Sequence, residues 1–178
     1  MKVRLIIFLN HWGLGVSMEE VIKVGIADLA LCKKPNKITT IGLGSCVGIV
    51  LYTMNDDCCG LVHIMLPSSK EIKNNSKRAK FADTGIEDLI LMLERQGIKR
   101  QSLCAKIAGG AAMFQFSGKT ELGSIGERNI KAVKETLAAF NIQIVSEDIG
   151  KDYGRTIVFD SITKKLTIRS AGKDDKYI

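Results

Sequence analysis

Ile38-Thr39-Thr40-Ile41-Gly42-Leu43-Gly44-Ser45-Cys46-Val47-Gly48-Ile49-Val50-Leu51-Tyr52-Thr53 is two β-rich runs joined by a glycine bend. Ile38 to Leu43 and Val47 to Thr53 read as strands, because β-branched and aromatic side chains suit a pleated surface. Asn55-Asp56-Asp57 then reads as a hairpin turn, and Gly60 to Leu66 as the returning strand, stopped by Pro67. Such a hairpin carries His63 back beside the strand that Cys46 opens. The bend itself presents Cys46 outward and leaves backbone N–H groups without strand partners. Glycine at 42 and 44 removes Cβ atoms that would crowd an approaching substrate.

Working outward, Val24 to Leu31 is apolar and reads as one strand ended by the Lys33-Lys34-Pro35-Asn36 turn. Residues 67–80 are polar and basic, a surface loop. Two segments carry helix punctuation. Thr84-Gly85-Ile86-Glu87 fits a capping box ahead of Ile86, Leu89, Ile90 and Leu93, with Gly97 closing the segment. Ser124-Ile125-Gly126-Glu127 repeats the pattern ahead of Ile130, Val133, Leu137 and Phe140. Leu103 to Ala108, Ile142 to Val145, Thr156 to Phe159 and Leu166 to Ile168 read as short strands. The order strands, helix, strand, helix, strands favours an α+β or layered sandwich over a regular doubly wound sheet.

The chain of 178 residues suits one domain with one substantial core. Hydrophobic residues at 46% and charged ones at 25% mark an ordinary globular balance, and nothing reads as intrinsically disordered. The net charge of +7 raises nucleic acid, an anionic membrane or an acidic protein as partners. The basic residues are scattered, however, and the densest group, Lys73, Lys77 and Arg78 among Asn and Ser, has no interleaved aromatics. It reads as a solvated loop, or as a surface that steers the chain toward an acidic protein; no nucleic-acid partner is expected. The apolar run Leu5 to Leu9 is too short to cross a bilayer and lacks a cleavage signal, so no membrane insertion is expected. Residues 1–17 are expected to be a non-native or disordered extension, with Met18 as the natural start and 18–178 as the single domain.

Five cysteines, an odd number without C-x-x-C spacing, point to a reducing compartment, here the cytoplasm. Two histidines and no finger-like cysteine spacing argue against a metal, and no cofactor is expected. A cysteine attacks only as thiolate and needs a base or cation beside it. His11 lies in the N-terminal extension, which leaves His63 as the partner for Cys46. The alternative is a buried structural cysteine and a core histidine between Val62 and Ile64, since both residue types are often buried. Cys32, Cys58, Cys59 and Cys104 take that structural reading. Gly109-Gly110 and Gly123 to Gly126 match no nucleotide-binding spacing and read as turns.

From about Ile22 to Ile168 the sequence resembles the chemoreceptor glutamine deamidases, the CheD family. The resemblance rests on Leu43-Gly44-Ser45-Cys46, on His63 with Met65-Leu66-Pro67, and on Phe81-Ala82-Asp83. It continues through Lys106 to Phe114, Ile125-Gly126-Glu127-Arg128-Asn129, Glu147-Asp148-Ile149-Gly150 and Tyr153-Gly154-Arg155-Thr156. It implies a three-layer α/β/β sandwich similar to the catalytic domain of the cytotoxic necrotizing factor toxins. It places the nucleophile at Cys46, its histidine at His63 and an orienting threonine at Thr40, with Gly44 and Ser45 lining the substrate side. It implies deamidation of methyl-accepting chemotaxis receptors, together with hydrolysis of their glutamyl methyl esters, by a monomeric enzyme. It also implies pairing with the CheC phosphatase. A non-catalytic regulatory binding module and a thiol hydrolase or transglutaminase-like enzyme with another substrate are the competing expectations. The roles of Asn129 and Arg155 stay open at this level.

Overall fold

A computed structural model describes residues 5–10, 13–71, 76–112 and 124–178. Strands β1 (Leu5–Asn10) and β2 (Gly13–Met18) pair antiparallel as a two-stranded sheet of their own. The chain then runs through β3 (Val21–Lys23), β4 (Asp28–Lys33), β5 (Lys37–Leu43), β6 (Val47–Tyr52) and β7 (Cys58–Ile64). Helix α1 (Ala82–Arg95), β8 (Cys104–Gly109) and helix α2 (Ile125–Ala139) follow. The last elements are β9 (Gln143–Ile149), β10 (Arg155–Asp160), β11 (Leu166–Arg169) and β12 (Lys176–Tyr177).

Two five-stranded sheets form, in the orders β4-β7-β6-β8-β9 and β12-β11-β10-β5-β3. The period of two along β6 shows how they stack. Val47, Ile49 and Leu51 point to one side, where they pack with Ile86, Leu89 and Leu93 of α1 and Val133 and Leu137 of α2. Val50 and Tyr52 point to the other, against Ile38, Leu43, Ile157 and Phe159 of the second sheet. The first sheet is therefore buried on both faces, and every residue of β6 and β7 is buried. The architecture is α+β, a three-layer α/β/β sandwich.

Two expectations are corrected. The run from Val24 to Leu31 is not one strand: β3 ends at Lys23, Ala27 adopts a left-handed φ of 55°, and β4 starts at Asp28. Residues 24–27 are the connection that crosses from the sheet of β3 to the sheet of β4. Helix α1 starts at Ala82 rather than after Thr84. The Ala82 N–H donates to Leu66 O at 3.0 Å and Asp83 Oδ1 accepts from the Thr84 N–H at 2.9 Å, so the first-turn donors have other partners. Thr84 Oγ1 donates to Arg78 O at 2.7 Å instead of capping. The basic cluster is partly neutralised, because Arg78 pairs with Glu87 and Asp88; Lys73 and His11 lie outside the described residues. The capping box at Ser124 forms as expected, with Ser124 Oγ accepting from the Glu127 N–H and Glu127 accepting from the Ser124 N–H.

Candidate active site

The β6–β7 hairpin sets the register of the site: Gly48 lies opposite His63 and Val47 opposite Ile64. By alternation, His63 shares with Leu61 and Cys59 the face turned toward the second sheet. Cys46, one residue before β6, is half-buried and packs against that same inter-sheet core. The sulfur and the ring thus lie on one side of the first sheet.

The ring is fixed from the opposite sheet. Thr40 Oγ1 lies 2.7 Å from His63 Nδ1 and donates to Val24 O at 2.8 Å. A hydroxyl has one proton, and a carbonyl can only accept, so Thr40 gives its proton to Val24 and accepts from Nδ1–H. That assigns the neutral tautomer with the lone pair on Nε2. Nε2 is buried and has no hydrogen-bond partner among the described residues, so the Cys46 thiol does not donate to it in this form. Burial holds the His63 pKa down at about 4, so the ring is neutral at pH 7. Burial also pushes the Cys46 thiol above its ordinary value, outweighing a lowering contribution from its own N–H. The pair is therefore neutral at rest, and a thiolate forms only when the proton moves to Nε2.

The bend is tied down by three consecutive carbonyls. Gly44 O accepts from Ala111 N–H at 2.7 Å, Cys46 O from Gly110 N–H at 2.7 Å, and Ser45 O from Asn129 Nδ2 at 2.9 Å. In a trans peptide the C=O and N–H point in opposite directions, so the N–H groups of Ser45 and Cys46 face away from these ties. Neither donates to a backbone carbonyl among the described residues. Gly42 has a φ of 78°, a conformation that favours glycine, and a Cβ there would meet no heavy atom of the protein within 4 Å. Gly109 is constrained twice: its φ is 118°, and a Cβ there would stand 2.2 Å from Cys46 O.

Asn129, whose role the motif left open, lies against the nucleophile bend. It is fully buried, and its Nδ2 also donates to Met65 O at 2.8 Å. The available signal was its place on the buried stripe of α2 with Gly126, Val133 and Leu137, where a polar residue needs partners. Arg155 serves the framework: it is buried against Asp148 at 2.7 Å and over the Tyr153 ring. Cys32, Cys58 and Cys59 are buried and Cys104 half-buried, in keeping with core roles. Among the described residues no cluster of His, Cys, Asp and Glu could hold a metal.

Comparison with known proteins decides the family. The model described as CheD chemotactic sensory transduction matches residues 65–170, more than half of the chain. The chain belongs to the CheD family. The "Probable chemoreceptor glutamine deamidase CheD" of Lachnoclostridium phytofermentans is 53% identical over 161 residues, covering 90% of this chain and all of that one. The protein of that same name from Clostridium botulinum strain Eklund 17B is 52% identical over 85% of this chain and 93% of its own. The "Chemoreceptor glutamine deamidase CheD" of Halalkalibacterium halodurans is 48% identical over 90% of this chain and all of its own. Thr40, Cys46 and His63 lie before the residues that the CheD model matches, so the case for them rests on the geometry above. A solved structure, the hypothetical protein YfiH of Bacillus licheniformis, superposes with a TM-score of 0.45 at 14% identity, over 70% of this chain and 51% of that one; so slight a likeness has no bearing on the site.

Proposed function

We propose that residues 18–178 form a chemoreceptor glutamine deamidase with Cys46 as nucleophile, His63 as base and Thr40 as the group that orients the ring. The observation that carries this reading is the Thr40–His63 hydrogen bond, which leaves a free lone pair on the sheet face where Cys46 stands. As Sγ attacks the carboxamide carbon, its proton passes to Nε2 and an S–C bond forms. The N–H groups of Ser45 and Cys46 receive the oxyanion. His63 then protonates the departing nitrogen, the C–N bond breaks, and ammonia leaves a thioester. Water, deprotonated at Nε2, hydrolyses the thioester to glutamate and restores the thiol.

The substrate is a glutamine on a chemotaxis receptor, as the relatives' names have it for those proteins. The family resemblance adds action as a cytoplasmic monomer and pairing with the CheC phosphatase. No helix among the described residues is long and apolar enough to cross a membrane. The test is mass spectrometry of a receptor signalling fragment incubated with wild-type protein and with Cys46→Ala. Wild type should convert glutamine to glutamate and the variant should not. Deamidation that persists in Cys46→Ala overturns the reading. A variant that has lost deamidation but still co-elutes with CheC would assign binding to another part of the surface.

A further inference from the structure

We propose that Asn129 is the positioning residue of this site, setting through the Ser45–Cys46 peptide the direction of the N–H that receives the oxyanion. The inference rests on the deamidase reading above. Asn129 is fully buried, and both its contacts are to carbonyl oxygens, Ser45 O at 2.9 Å and Met65 O at 2.8 Å. Carbonyls can only accept, so the amide nitrogen must face them, and the side-chain orientation needs no further assignment. Its Oδ1 is buried without a partner among the described residues. An amide whose two donors are engaged and whose acceptor is idle acts through its donors.

Those donors join the two halves of the site. Ser45 precedes the nucleophile and Met65 follows the histidine strand by one residue. The Ser45–Cys46 peptide is rigid and trans, so holding its oxygen toward α2 turns the Cys46 N–H the opposite way. The flanking carbonyls of Gly44 and Cys46 are held by backbone N–H groups, which no side-chain substitution removes. Asn129 is the side-chain member of the set. Its helix is well placed to hold it: the Ser124 capping box fixes the first turn one residue row away.

The test compares Asn129→Asp, which keeps the shape and removes the donors, with Asn129→Ala. Each is first shown to fold by circular dichroism and a cooperative melt. Two rates are then measured: glutamine deamidation, whose transition state develops an oxyanion, and alkylation of Cys46 by iodoacetamide, whose transition state does not. Loss of an aligned oxyanion donor should lower kcat by about a hundredfold, with KM and the alkylation rate each within about threefold of wild type. An unchanged kcat overturns the proposal. So does alkylation that falls in step with kcat, which would mean the residue serves the thiol or the fold, and so does failure of both variants to fold. If wild-type protein deamidates no glutamine substrate, the deamidase reading fails on its own. The comparison then uses hydrolysis of a chromogenic acetate ester that Cys46→Ala cannot turn over. A wild-type Cys46 acylated by neither substrate overturns both.

Discussion

At the scale of single residues, one proton decides the chemistry. The Thr40 hydroxyl gives its hydrogen to Val24 O, so it must accept from His63, and the ring must carry its lone pair on Nε2. Thr40→Val keeps the shape and removes that acceptor; kcat should fall by about tenfold to a hundredfold, and Thr40→Ser should restore most of it. The buried ring also sets two pH dependences. Because His63 must be neutral to act as base and burial holds its pKa at about 4, the acid limb of kcat/KM should lie near pH 4 rather than near the ordinary 6.5. For stability, the folded pKa lies below the unfolded one, so the unfolded chain binds the proton first on acidification. Stability is then full above about pH 6.5 and declines toward pH 4, by up to about 3 kcal/mol. Urea midpoints at pH 7.5 and 4.5 would show the loss, and His63→Gln should flatten it. Burial pushes the Asp148 carboxyl up, but Lys176 and Arg155 outweigh it and leave its pKa lowered, so its contribution is lost only below that window.

At the scale of elements, the turn after β8 and the start of α2 hold the nucleophile bend. Gly109→Ala would drive a methyl group into Cys46 O and impose a left-handed conformation on a residue with a Cβ. We expect a loss of at least about 2 kcal/mol in chemical denaturation, together with loss of turnover. Ser124→Ala removes a formed capping box and should cost about 1 kcal/mol, read as a lower Tm. The two helix starts show what a local pattern can and cannot convey. Ser124 and Thr84 sit in the same S/T-x-x-E frame. At Ser124 the capping box forms. At Thr84 the buried Phe81, bridged to Leu66, has already begun the helix. The β3–β4 turn escaped notice for a related reason. Val24 and Ala30 pack on the inter-sheet core while Leu29 and Leu31 pack on the helix side, and an apolar run of this length reads the same whether it is one strand or a turn leading into one.

At the scale of the whole molecule, the site is a product of stacking. Thr40 belongs to one sheet, and His63 and the bend at Cys46 to the other, so the hydrogen bond that orients the base exists only when the sheets close on each other. A second tie across the layers is ionic. Arg155 on β10 binds Asp148 on β9, which also binds Lys176 on β12. Removing one partner of a buried pair leaves the other poorly compensated, so Arg155→Met should lower stability by about 3 kcal/mol in denaturant titration. Lys176 still pairs with Asp148, which should keep the loss from being larger.

The β6–β7 hairpin, the glycine bend before Cys46, the capped start of α2 and the return of His63 to the strand that Cys46 opens were legible from the chain itself. Each depends on side-chain period, turn chemistry or short separation along the backbone, and these are local properties. Asn129 against the bend, Val24 O behind Thr40 and the crossover at Ala27 were settled only by the tertiary structure. They join residues that are distant in sequence or belong to different layers, and apolar periodicity says which side of an element is buried without saying what it is buried against.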